Sequence, residues 1–396
     1  MSPLQLTHFT AVSAVGHGVA ETLDALERQR GGLAPCAFES VDLPTHIGEV
    51  RGVDKAALPD ELSGYNCRNN RLAQLGLLQD GFAHAVAKSA TRWGSDRIGV
   101  FIGTSTSGIL ETELAYREWA ATGALPQSFN YAGAHNSFSV GDFVRHALRL
   151  EGPATVVCTA CSSSAKVFAS AQRMISVGLI DAAVVGGVDS LCLTTLYGFH
   201  SLQLTSRYAC RPFDIARDGI SIGEAAAFAL LERLPEQLDN NAILLLGAGE
   251  SSDAYHMSSP HPEGRGARAS IEQALAAASL EPTDIDYINL HGTATVSNDS
   301  AEDLAVSAVF GTQVPCSSTK GATGHTLGAA GALEAVICAL AIRHGLMPGG
   351  LNTRTVDPKL HVHYLRENRR SNVNRVLSNS FGFGGANCSL IFGRAA

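Results

Sequence analysis

The chain is 396 residues long, with 45% hydrophobic residues, 17% charged residues and a formal net charge of −8. The apolar content is too high for a disordered chain, the acidic balance argues against nucleic acid as a partner, and no unbroken apolar run of about 18 residues predicts a membrane helix. The opening MSPLQLTHFT has neither the basic nor the apolar region of a secretory signal, and the nine Cys lack disulfide spacing, so reduced thiols in the cytoplasm are expected.

Strand-like apolar runs alternate with Ala-rich helical stretches, the pattern of an α/β chain with buried strands. RLAQLGLLQDGFAHAVAKSA, from Arg71 to Ala90, has apolar residues at helical spacing and reads as helical. IGVFIGTSTSG, from Ile98, reads as a strand entering a Gly/Ser/Thr turn. ATVVCTACSSSAKVFASAQRMISVGLI, from Ala154, reads as strand, sharp turn and helix. AAVVGGVDS from Ala182, EAAAFALLERL from Glu224 and AILLLGAGESSD from Ala242 are further strands. DYINLHGTAT, from Asp286, is a strand then a turn, and VPCSSTKGATGHTLGAAGALEAVICALAIRHG, from Val314, is again strand, turn and helix. NRVLSNSFGFGGANCSLIFG, from Asn374, is two strands around a Gly-rich turn. The order repeats, which predicts an internal duplication with halves at 1–241 and 242–396, the Cys161 helix matching the helix after His325. No low-complexity linker separates them, so they are expected to pack as one body.

Cys161 follows a strand and opens a helix, where free N–H groups and the positive helix end favour a thiolate, lower the pKa and are able to hold an oxyanion. A buried structural role is the competing reading for any cysteine. Cys158, placed within the strand, keeps that role. No matched CxxC and His pairs predict a zinc site. His291 follows a strand beside Gly292, and Thr293 and Thr295 alternate on an extended segment, suited to a polar ligand arm. A satisfied half-buried His with turn-forming Thr is the alternative. His325 lies in a Gly-rich turn predicted to open a helix, a placement that keeps the imidazole neutral. Lys320 supplies positive charge there unless it is a solvated surface Lys, and Glu334, on the following helix, is placed to pair with it. Phe381 to Gly385, FGFGG, demands unusual backbone angles, and it lacks the spacing and helix of a dinucleotide site. A Phe there is placed to gate a pocket, or the segment is a plain hairpin turn.

Taken in this order, six segments resemble the elongating β-ketoacyl-acyl carrier protein synthases of the thiolase superfamily: TACSSS around Cys161, PFDIARDGISIGEAA (Pro212 to Ala226), HGTAT at His291, NDSAE (Asn298 to Glu302), KGATGHTLGAAGALE (Lys320 to Glu334) and SNSFGFGGANCSLIF (Ser378 to Phe392). The resemblance spans nearly the whole chain. It implies an α/β, thiolase-like fold with two duplicated halves in a five-layered α-β-α-β-α body. It implies an acyltransferase in which Cys161 takes an acyl chain from acyl carrier protein and condenses it with a malonyl group, His291 and His325 assisting decarboxylation. It further assigns the Cys161 and Phe383 N–H groups to the oxyanion, Phe383 to the gate, Lys320 and Glu334 to an ion pair, Thr293 and Thr295 to the pantetheine arm, Ile109 to the floor of the acyl pocket, and Arg68, Arg71 and Arg207 to the acidic carrier protein. No metal or nucleotide cofactor is implied, since substrates ride on phosphopantetheine. A homodimer across a strand near Cys161, or a heterodimer with a chain-length partner lacking the Cys, is expected.

The opening strand, LQLTHFTAVSAVG, is short for the family. TSTSG and CSSSAK are similar to the synthases of aryl polyene pathways, with fatty acid and type II polyketide synthesis left open. Two rivals remain. A thiolase-like acyltransferase would need a second catalytic Cys, and Cys388 lacks the surroundings of one; a non-catalytic partner subunit would have lost Cys161 or a His.

Overall fold

The structure, a computed structural model, describes residues 2–395. Its principal strands are β1 Leu4–Ser13, β2 Ile98–Gly103, β3 Ala154–Val157, β4 Ala182–Asp189, β5 Ala225–Glu232, β6 Ile243–Ser252, β7 Tyr287–Asn289, β8 Pro315–Ser317, β9 Arg375–Phe381 and β10 Ala386–Arg394. They form one continuous sheet in the order β3-β2-β4-β5-β1-β6-β10-β9-β7-β8, with the two-residue strand His363–Tyr364 beyond β8. The helices are α1 Gly18–Glu27, α2 Arg68–Leu77, α3 Phe82–Trp93, α4 Ile109–Thr122, α5 Phe138–Ala147, α6 Ser163–Ser176, α7 Leu193–Ser201, α8 Arg265–Ala278, α9 Val296–Phe310 and α10 Ala330–His344.

The sheet repeats one five-strand unit. In the first, β1, β5 and β4 are antiparallel neighbours, and β4, β2 and β3 continue in parallel. In the second, β6, β10 and β9 are antiparallel, and β9, β7 and β8 continue in parallel. The units join where Leu4–Leu6 of β1 pairs with Ile243–Leu245 of β6. β1 is therefore a full ten-residue strand at the junction rather than the reduced element its short sequence suggested.

Burial explains the layers. AAVVGGVD and AAAFALLE have every residue buried, as strands covered on both faces must. α6 and α10 lie between the two half-sheets, and they approach closely because the contact residues are small: a Cβ on Gly331 would stand 2.6 Å from the Ala165 nitrogen. α2, α3 and α5 cover the outer face of the first half-sheet, and α8 and α9 that of the second. The result is the expected five-layered α-β-α-β-α body. The 18 residues from Leu327 to His344 are apolar enough to cross a membrane by length and composition, yet 89% of that window is buried inside the protein's own core.

One local expectation is refined and one is corrected. The helical stretch expected from Arg71 to Ala90 is two helices, broken where Asp80 (φ 52°) and Gly81 (φ 69°) turn left-handed. The Asp80 carboxylate accepts from Thr10 Oγ1 and the Val19 N–H, so a tie to β1 and α1 overrides helical spacing. Cys158 is not inside its strand: β3 ends at Val157, and Cys158 is exposed beyond it.

Candidate active site

The site forms where the matching strand-to-helix junctions of the two halves face each other. In the first half the chain turns from β3 into α6 within residues 158–162, which requires a strained left-handed Ala160 (φ 52°) immediately before Cys161. The serine run holds this corner. Ser162 Oγ donates to Thr159 O and Ser163 Oγ to Ala160 O, while the Ala332 N–H donates to Ser164 Oγ, tying α6 to α10. The turn Phe383–Gly385 lies directly on the corner because Gly382 has no side chain: a Cβ there would stand 2.7 Å from Thr159 O. The backbone N–H groups of Phe383 and Cys161 consequently both hydrogen-bond the Cys161 sulfur.

In the second half, the connection from β8 to α10 carries His325. His325 Nε2 lies 3.0 Å from Cys161 Sγ, and the ligand atoms of Cys161, His291 and His325 all fall within 4.8 Å of one another. His325 does not sit at the N-terminus of α10. It lies between a helical turn, Lys320–Thr323, and a 3-10 turn, Leu327–Ala329, where its N–H donates to Ser221 O and its carbonyl accepts from Gly223. Its imidazole is held well below the usual histidine range, so it is neutral at pH 7, but the cause is burial first and the nearby Lys320 charge second. His291 is likewise held neutral by burial, Lys320 and His325.

Lys320 is 1% exposed. Its ammonium donates to Glu334 Oε1 at 2.5 Å and to the His291 carbonyl at 2.6 Å, and it stands 3.4 Å from His291 Nδ1. An ammonium only donates, so Nδ1 carries the lone pair and His291 Nε2 carries the proton. The ion pair expected between Lys320 and Glu334 is formed, and burial pushes the Glu334 carboxyl up to about 7 against the pull of Lys320.

Cys161 departs from its expectation. Burial pushes its thiol up to about 11, more than the Phe383 N–H, Lys320 and its own N–H offset. The corner supplies the stabilising N–H groups the sequence predicted, but full desolvation outweighs them. At neutral pH the resting sulfur is a thiol, with His325 Nε2 positioned to accept its proton.

A narrow channel leads to these groups, with Thr293, Thr295, Asn298, Ser258 and Phe383 along it. Thr293 Oγ1 and Thr295 Oγ1 stand 2.9 Å apart, and Thr295 also caps α9 by accepting the Asn298 N–H. The Phe383 ring is half-buried, 5.4 Å from that of Phe199. Ile109, at the start of α4, is outside the lining of this channel. It packs on an apolar cluster that shares Phe199 and Ile220 with the channel wall.

The three arginines separate. Arg207 is exposed. Arg71 is half-buried and donates to Asn66 Oδ1. Arg68 is 1% exposed and clasped by Glu224, Asp54 and Glu49. Arg68 is therefore no contact for a carrier protein; a buried arginine held by three carboxylates, the buried Glu224 among them, is a structural tie between α2 and the residue that precedes β5.

The acids of NDSAE have roles that the local sequence does not show. Glu302 accepts the N–H groups of His291 and Gly292, each at 2.7 Å, and burial pushes its carboxyl up to about 7. Asp299 accepts the N–H groups of Phe213 and Ala294 and is pushed up to about 6 by burial. Together they hold the His291 turn. Asp253 was also missed: its N–H donates to Gly385 O, and Met257 O accepts from Gly384, so the segment 253–257 braces the Phe383 turn. No sequence signal marks it, because the contact is between segments distant in the chain.

Comparison with known proteins matches residues 72–237 to the N-terminal domain of β-ketoacyl synthases and residues 243–354 to their C-terminal domain. The chain belongs to the β-ketoacyl synthase family. This synthase is 33% identical to 3-oxoacyl-[acyl-carrier-protein] synthase 2 of Coxiella burnetii, with 98% of each chain covered. Its structure is similar to a ketosynthase of Xenorhabdus doucetiae solved in complex with its chain length factor, with TM-score 0.90, 40% identity, and 100% and 98% of the two chains covered. The ishigamide ketosynthase/chain length factor gives TM-score 0.90 at 28% identity, with both chains fully covered. The thiolase-like alternative finds no support in the site: Cys388 is buried in β10 and lies outside the channel lining.

Proposed function

We propose that this β-ketoacyl synthase condenses an acyl group held on Cys161 with malonyl-acyl carrier protein, its two halves, 1–241 and 242–396, supplying the nucleophile and the two histidines respectively. The observation that carries the reading is Cys161 Sγ beneath two backbone N–H groups and 3.0 Å from His325 Nε2, with His291 alongside.

In the first step Cys161 attacks the carrier-bound thioester and its proton passes to His325 Nε2. The Cys161 and Phe383 N–H groups hold the oxyanion. The carrier thiolate leaves and takes the proton from His325. In the second, malonyl-carrier protein enters past Phe383, its pantetheine arm against Thr293 and Thr295. Its C–C bond to the carboxylate breaks, carbon dioxide leaves, and the electron pair becomes an enolate. The enolate oxygen is stabilised by the Nε2–H of neutral His291, with the His325 imidazole, its Nε2 again carrying the lone pair, beside it. The enolate carbon then attacks the Cys161 thioester, whose C–S bond breaks; the released Cys161 thiolate takes a proton from solvent to restore the thiol. The acyl chain extends toward the cluster around Ile109. These steps draw on the chain's own groups and on the carrier's phosphopantetheine.

The acidic carrier is met near Arg207 and Arg71, in the cytoplasm. A second subunit of the same fold, either another copy or a chain-length partner, pairs along β3. That strand is an edge of the sheet with half-buried residues, α4 presents Leu114, Tyr116 and Trp119 to solvent, and α5 presents Phe138. The X. doucetiae relative, solved with a chain length factor, favours the heterodimer.

The test is intact mass after incubation with acyl-carrier proteins of several chain types, beside Cys161→Ala, together with carbon dioxide release from malonyl-carrier protein. An acyl-sized gain lost in the variant supports the reading. A folded protein that takes no acyl group and releases no carbon dioxide would refute it.

A further inference from the structure

Asp189 closes β4 and is fully buried. Its carboxylate faces no cation within ion-pair distance among the described residues, yet it collects donors from two separate turns. Oδ1 accepts from Thr104 Oγ1 at 2.7 Å, Ser105 N at 2.8 Å, Thr106 N at 2.9 Å and Thr106 Oγ1 at 2.9 Å. Oδ2 accepts from Ser105 Oγ and from the Gly328 N–H, both at 2.5 Å. The first turn leaves β2; the second belongs to the loop that carries His325.

Packing around this carboxylate allows little movement. A Cβ on Gly187 would stand 2.5 Å from Ser164 Cβ and 2.8 Å from Ala329 Cα, so β4, the first turn of α6 and the His325 loop meet there without clearance. A Cβ on Gly103 would stand 2.3 Å from the Ser164 nitrogen, seating the end of β2 on the same turn. Leu327, between His325 and Gly328, is held at φ 51°, a conformation a non-glycine residue keeps only under restraint.

We infer that Asp189 is a positioning residue: by joining the turn after β2 to the His325 loop it sets where His325 Nε2 meets Cys161 Sγ. The inference rests on the condensing function proposed above. The groups facing the sulfur are His325 and Lys320 from the β8–α10 connection, His291 from the turn after β7, and Asp189 from β4. Among these Asp189 is the negative charge that disfavours the thiolate, adding to the larger effect of burial.

The test compares wild type with Asp189→Asn, which keeps the shape but sets an amide against donor groups, and with Gly328→Ala, whose Cβ would stand 2.7 Å from Asp189 Oδ2 and push the loop away. End-point acylation mass counts intact sites. The acyl-transfer rate per intact site, the KM for acyl-carrier protein and the pH midpoint of iodoacetamide alkylation are then measured. The expected result is a rate per site at least about tenfold lower in both variants with KM unchanged, and a midpoint about half a unit or more lower in Asp189→Asn as the negative charge is removed. Rates within about twofold of wild type in both variants would overturn the inference. If Asp189→Asn does not fold, Gly328→Ala decides by the same thresholds. A wild-type protein that takes no acyl group would count against the condensing reading alone, and the alkylation midpoint would still decide the placement of Asp189.

Discussion

The two strand-to-helix junctions at the site occupy equivalent positions in the duplicated halves and are built differently. The β3–α6 junction is confined to residues 158–162 and relies on one strained residue, Ala160, and a lacing of serine hydroxyls. The β8–α10 junction spans residues 318–329 and inserts a helical turn that buries Lys320 and a 3-10 turn after His325. A short corner offers backbone N–H groups at one point, which suits a nucleophile and its oxyanion. A longer one has room to bury an ion pair and present an imidazole. One topology thus yields two chemical roles, and each prediction probes whether the roles separate as the two junctions do.

The largest effect is expected from Cys161→Ala, which removes acylation and condensation entirely, measured by intact mass and product formation. Malonyl decarboxylation stays measurable, because His291 and His325 do not depend on the sulfur for their placement. Next, His291→Ala lowers decarboxylation about 10²–10⁴-fold while Cys161 still acylates, whereas His325→Ala impairs both steps, since its Nε2 touches the sulfur. Equal loss of both activities in both variants would break the distinction. Third, Lys320→Ala leaves Glu334 buried without its partner and costs about 3–5 kcal/mol, read as a lower urea midpoint.

The pH responses separate the junctions further. With the thiol pushed up to about 11, alkylation of Cys161 rises about tenfold per pH unit from 7 to 10. Both histidines are held below their usual range, so protonation begins only well under pH 6.5, and their imidazole NMR shifts stay flat from pH 8 to 6.5. A ring titration centred near pH 6.5 would mean that burial does not set their state. The smallest effect belongs to the rim: Arg207→Glu raises the KM for acyl-carrier protein a few-fold, less at high salt, and leaves kcat unchanged.

Much of the site was legible because its elements are local. Cys161 and His291 each stand directly after a strand, in a turn whose residue types demand a special backbone, and Lys320 and His325 share one Gly-rich connection. What failed to read was set by contacts distant in the chain. Arg68 looked like a surface charge because nothing near it in the chain reveals Glu224 waiting just before β5. The break at Asp80 and Gly81 serves ties to Thr10 and Val19 that helical periodicity does not register. The role of Glu302, eleven positions beyond His291, appears only once α9 folds back on the His291 turn.

By itself the sequence determined the alternation of strands and helices, the duplicated order of the halves, and the candidate side chains that the fold brings together around Cys161. Those follow from residue type, spacing and resemblance, all carried in short stretches of chain. Only the tertiary structure decided the protonation states. Helix-end reasoning predicted a thiolate at Cys161 and a dipole-held neutral His325. Complete burial instead raised the thiol and, together with Lys320, neutralised the imidazole. Desolvation depends on everything packed around a group, and no local run of residues encodes it.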